Sequence, residues 1–174
     1  YNMDFFETET HNIAVIPKGL SSSIGKAIAE RDCVEEIKRL TDSGEPMADF
    51  IYKAIVPHTE TPSKPTAALM REPIERLLSA LAMNNTNVQE TIESLKSGEG
   101  WQATHPIFMP QNLESIDKVF RFPEQEEDFC TETGLPYPLP KLNQSKNTKP
   151  ELTEEQQEFF EEYYATDIKL YQSL

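Results

Sequence analysis

Residues 13–28 read "IAVIPKGLSSSIGKAI": an apolar run broken at Pro17, a lysine and a glycine, then three serines that lead into helical spacing. Ile13 to Ile16 suit a buried strand, while Ile24, Ala27 and Ile28 recur at the interval of one helix face. The unit is strand, loop, helix. In an open parallel sheet, ligands sit beyond the carboxyl ends of the strands, where helix amides favour anions. Lys18 to Ser23 occupies that place. Its hydroxyls and amides can donate to phosphate oxygens, and Lys18 adds a point charge on a mobile stem. A Walker A loop carries its lysine at the end, before Ser or Thr, so the early lysine here weakens an ATP or GTP reading. The plain alternative is that Ser21, Ser22 and Ser23 only cap a helix.

Working outward, "TAALMREPIERLLSALAM", residues 66–83, repeats the pattern. A strand ends at Arg71, Pro73 opens a helix where its missing N–H costs nothing, and Ser79 follows eight residues after the arginine. Arg71 and Ser79 can converge on one phosphate, the guanidinium through its fork and the hydroxyl as a further donor. The plain alternative for this stretch is an amphipathic helix with Glu72, Glu75 and Arg76 on its wet face. "ADFIYKAIV", 48–56, reads as a buried strand ending at Pro57-His58, and 116–122 as another. Helices fit 33–40 and 87–96, the latter ended by Gly98 and Gly100. Residues 134–150 are irregular and proline-rich. Thr153 with Gln156 forms a capping box that starts a long closing helix running toward Tyr171. Strands alternating with helices predict a single α/β domain over 1–174, with a central parallel sheet of about four strands covered on both faces.

Composition narrows the partners. Sixteen basic residues against thirty acidic ones give a formal net charge of −14, which argues against nucleic acid and anionic membrane surfaces. No stretch reaches the length of a membrane span, and cytoplasmic is the default location. Tyr1 is not an initiator methionine, which leaves open a removed leader. Cys33 and Cys130 have no metal-type spacing, could be paired or free, and no metal site is expected.

The two loops together resemble the sulfotransferase family that uses 3′-phosphoadenosine 5′-phosphosulfate (PAPS), in pattern most like the carbohydrate O-sulfotransferases. "VIPKGLSSSI" is similar to the family's 5′-phosphosulfate loop and "MREPIERLLSAL" to its 3′-phosphate motif. "IDKVFRFPEQEEDF" (116–129), "LPKLNQS" (139–145) and "EEYYATDIKLYQ" (161–172) resemble its closing segments more loosely. The resemblance implies a P-loop-like three-layer fold and PAPS as cofactor. It places Lys18, Gly19, Ser21, Ser22 and Ser23 at the 5′-phosphosulfate, and Arg71 and Ser79 at the 3′-phosphate. Gly19 stands where Thr or Ser is usual, and Leu20 where a small residue is.

Sulfuryl transfer to a hydroxyl needs an in-line acceptor oxygen, a base for its proton, and positive charge at the leaving phosphate. Lys18 suits the last task. His58 is the expected base, on a loose resemblance of "YKAIVPH" to the family's histidine stretch, with a solvated loop residue as its plain reading and Glu60 in reserve. Trp101 could stack on adenine or simply pack, and His105 lies in the same stretch. The expected acceptor is a small molecule or glycan carrying a hydroxyl, unless Lys53 and Lys64 gather cations for a more anionic one. A P-loop nucleotide kinase and a non-catalytic interaction protein on a nucleotide-binding fold are the alternatives. Acceptor and oligomeric state are not legible.

Overall fold

The computed structural model describes residues 3–44, 49–142 and 147–174. Five strands form one sheet in the order β3-β1-β2-β4-β5: β1 Asp4–Glu7, β2 Asn12–Val15, β3 His58–Thr59, β4 Thr66–Met70 and β5 Lys118–Arg121. The fold is α/β, but the expected parallel sheet of about four strands is a mixed sheet of five. Only β2, β4 and β5 are mutually parallel neighbours. β1 pairs antiparallel with both β2 and β3.

The helices among the described residues are α1 Ser21–Asp32, α2 Val34–Asp42, α3 Asp49–Ile55, α4 Pro73–Asn84, α5 Val88–Ser97, α6 Trp101–Thr104, α7 Glu126–Thr133, α8 Glu154–Tyr163 and α9 Ala165–Ser173. Strand residues alternate between two cores, as a pleated sheet buried on both faces requires. Phe6, Ile13, Ala67, Leu69 and Phe120 pack with Ile24, Ile28 and Phe129 on one side. Phe5, Ala14, Ala68 and Met70 pack with Leu113, Ile116 and Tyr171 on the other. A third cluster joins Leu77 and Leu81 of α4 to Ile92, Phe108, Phe160 and Tyr164.

Two expected elements change. The stretch read as a strand over 48–56 is helical from Asp49 to Ile55, and Ala48 lies outside the described residues. Tyr52 and Val56, four residues apart, are buried while Ala54 is exposed, so the burial period is helical rather than two. The edge-strand role passes to His58–Thr59. The closing helix breaks at Tyr164, where φ −100° and ψ 21° end α8 before α9 begins. The capping box forms as expected, Gln156 N–H donating to Thr153 Oγ1 at 3.2 Å and Thr153 N–H to Gln156 Oε1 at 3.0 Å. Of the irregular stretch 134–150, residues 143–146, including part of "LPKLNQS", lie outside the described residues. Both cysteines are free thiols buried in the same core. Among the described residues no helix is long and apolar enough to cross a membrane.

Candidate anion-binding site

Three parallel strands end on one edge of the sheet, and the loop Ile16–Leu20 leaves β2 there while Arg71 leaves β4. The loop is tight. Gly19 N–H donates to Ile16 O at 2.8 Å, and Lys18 (φ 57°) and Leu20 (φ 69°) are both left-handed. A Cβ on Gly19 would meet Ile16 Cγ2 at 2.7 Å, so the turn leaves no room for a side chain at this position. Leu20, not a serine, is the N-cap of α1, and no side chain caps the helix. Ser21, Ser22 and Ser23 are therefore inside the first turn, and the helix-cap alternative falls. First-turn amides have no intrahelical acceptor, so this end of α1 presents donors and a partial positive charge.

Arg71 reaches the same place. Its Nη1 donates to Lys18 O at 3.2 Å, joining the two sequence motifs across one strand spacing. The guanidinium is half-buried, and burial holds it below its ordinary pKa against the opposing pull of Glu75 and Glu72. Among the described residues no carboxylate comes within ion-pair distance of it. The two nearby acids are engaged elsewhere: Glu72 caps α4 by accepting Glu75 N–H at 2.7 Å, and Glu75 pairs with Lys149 at 3.1 Å. Ser79 is buried on α4 at 8% exposure. The hydroxyls of Ser21, Ser22, Ser23 and Ser79 make no hydrogen bond to another described residue. A half-buried cation, an uncapped helix start and open hydroxyl donors suit a phosphate or sulfate ester.

Arg76 corrects the sequence reading. It is not on a wet face but 3% exposed, with its guanidinium donating to main-chain oxygens of Pro17, Met109 and Pro106. Gln111, also missed, is 2% exposed and donates from Nε2 to Arg71 O at 3.2 Å. No local pattern marks either residue, because their partners lie tens of positions away.

His58 does not follow a strand's carboxyl end, because the segment before it is helical. It starts the edge strand β3, paired with Phe6 and hence level with Ile13, two strands from the loop. Its exposed ring lies against Phe6, with centroids 5.0 Å apart, and its Nε2 is 3.9 Å from Asp4 Oδ2. Asp4 is in register with Val15, so the imidazole leans toward the loop end of the sheet. Glu60 lines a separate surface groove of about 510 Å³ with Met3, Phe5 and Ile116. A second groove of about 560 Å³ lies between the start of α4 and helices α8 and α9. None of the loop serines, Lys18, Arg71 or Ser79 lines either groove.

Trp101 is 46% exposed, edge-on to His105 at 5.9 Å and to Phe108 at 5.5 Å. His105 Nδ1 accepts Ile107 N–H at 3.2 Å. Lys64 Nζ donates to Thr8 O at 2.6 Å, at the opposite end of the sheet from the loop, so it does not join Lys53 on a common rim of the site. His11 contacts Thr10 and Glu132, also away from the site. Against known proteins, the chain matches no family model, no curated protein and no solved structure.

Proposed function

We propose that the chain is a sulfotransferase that moves a sulfuryl group from PAPS to an acceptor hydroxyl, a sugar hydroxyl being the favoured class. The observation that supports the reading is the Arg71 Nη1 bond to Lys18 O at 3.2 Å, which brings Arg71 against the loop that carries Lys18 and the serines. Lys18, Gly19, Ser21, Ser22 and Ser23 would hold the 5′-phosphosulfate and Arg71 with Ser79 the 3′-phosphate. The chemistry fits, since the first-turn amides of α1, the serine hydroxyls and the Arg71 guanidinium are all donors suited to an anion. Bound there, PAPS would supply the sulfuryl group. Lys18 would offset charge on the leaving 5′-phosphate oxygen, and His58, oriented by Asp4, would take the acceptor's proton.

A second reading, a nucleotide-binding fold without catalysis, is favoured by one observation: His58 stands two strands away from the loop. Calorimetric titration with adenosine 3′,5′-bisphosphate and with ATP separates the possibilities. Tight bisphosphate binding, weakened at least about tenfold in Arg71→Ala, supports the PAPS reading. A preference for ATP would point to a kinase instead. In labelled-sulfate transfer, His58→Ala should keep bisphosphate affinity and lose turnover. Wild-type binding with no transfer to sugars, phenols or lipids would favour the non-catalytic reading.

A further inference from the structure

Arg76 is a buried cation to which the proposed chemistry gives no task. It lies midway between Pro73 and Ser79 on α4, three residues from each. Its planar fork is divided among three carbonyls: Nε donates to Pro17 O at 2.9 Å, Nη1 to Met109 O at 2.7 Å and Nη2 to Pro106 O at 3.2 Å. Only a guanidinium can meet three acceptors from one rigid plane.

The peptide plane converts those contacts into a statement about the anion site. Across a trans peptide, C=O and N–H point in opposite directions, and the Pro17–Lys18 bond is trans. Holding Pro17 O toward Arg76 therefore aims the Lys18 amide the other way. Arg71 holds the next carbonyl, Lys18 O, whose peptide partner, the Gly19 amide, closes the turn on Ile16 O. Both oxygens, which would repel a phosphate, are taken up by guanidinium groups. The left-handed Lys18 and Leu20 are conformations that persist only where their surroundings over-determine them.

The far side of Arg76 is anchored in turn. Residues 106–112 form a strap on which Tyr164 Oη donates to Phe108 O at 2.7 Å, and the buried Asp167 carboxylate accepts the amides of Gln111 and Asn112. Gln111 then donates to Arg71 O. The strap thus touches both grips, Arg71 through Gln111 and the Pro17 turn through Arg76.

We propose that Arg76 is the positioning residue of the anion site, fixing the Pro17–Lys18 peptide against the 106–112 strap so that the Lys18 amide is turned toward the ligand side of the loop. This rests on the phosphate reading of the loop, but the loop's order can be measured without any ligand. Hydrogen exchange of residues 16–23 is compared in wild type, Arg76→Ala and Arg31→Ala, alongside titration with adenosine 3′,5′-bisphosphate. Arg31 is the control, because it also donates to main-chain oxygens, those of Thr133 and Gly134, away from the loop. Arg76→Ala should exchange faster over 16–23 and bind the bisphosphate about tenfold more weakly while its circular dichroism stays native. Millimolar guanidinium should restore both. Arg31→Ala should change neither. Unchanged exchange and affinity within about twofold in folded Arg76→Ala would overturn the proposal. If that variant does not fold, Arg76→Lys, which can meet one carbonyl, is judged by the same readings. A wild type that binds no bisphosphate would sink the phosphate reading alone, with the exchange contrast still deciding the role of Arg76.

Discussion

Arg71 and Arg76, five positions apart, were not equally legible. Arg71 follows a strand and precedes a proline-started helix, so local pattern places it at the carboxyl edge of the sheet. Arg76 sits at a helical position that pattern assigns to solvent, and only its distant carbonyl partners bury it. Asp117 is a similar case. Its Oδ2 accepts Thr66 N–H at 2.8 Å and Thr66 Oγ1 at 3.1 Å, stitching the start of β4 to the approach to β5. Those two bonds hold its carboxyl below the ordinary aspartate range. A depressed folded value contributes stability above the unfolded value and loses it as pH falls through the folded one. Thermal melts of wild type and Asp117→Asn should therefore differ by a constant margin at neutral pH, and that margin should shrink below pH ~4. A pH-independent gap would show that the charge is not what matters.

Among elements, long amphipathic helices with caps were readable and short apolar runs were not. α1, α4 and α5 lie within a residue or two of their expected spans: apolar spacing marks α1, and spacing together with the capping side chains of Glu72 and Asn87 marks α4 and α5. The run 48–56 misleads, since a short apolar stretch carries no periodicity that separates a strand from one side of a helix. β1 went unread because "DFFE" hides two buried phenylalanines, on opposite faces, between acids. The capping box at Thr153 offers a direct test. Thr153→Ala should cost about 1 kcal/mol by urea unfolding, and an unchanged midpoint would mean that packing of Phe160 alone holds α8.

For the whole molecule, the C-terminal helices and the candidate site are one mechanical unit. Tyr164, 2% exposed, closes α8 and binds the strap at Phe108, so burial of its phenol pushes that group's pKa up and keeps it a donor at any ordinary pH. Tyr164→Phe leaves Phe108 O without its partner and should lower stability by about 1–3 kcal/mol, read as a fall in the denaturation midpoint. This coupling was out of reach of sequence reading, because it joins three segments that share no motif. The sheet's two margins have another consequence. β3 is two residues long and hemmed by Pro57 and Pro62, and β5 carries Lys118 and Arg121, each paired with an acid, Glu132 and Glu124. Short, proline-flanked or charged margins deny a neighbouring chain a template for strand addition. Crowded copies of this protein should resist growing into fibrils, and replacing Lys118 with valine would be the quickest way to remove that protection.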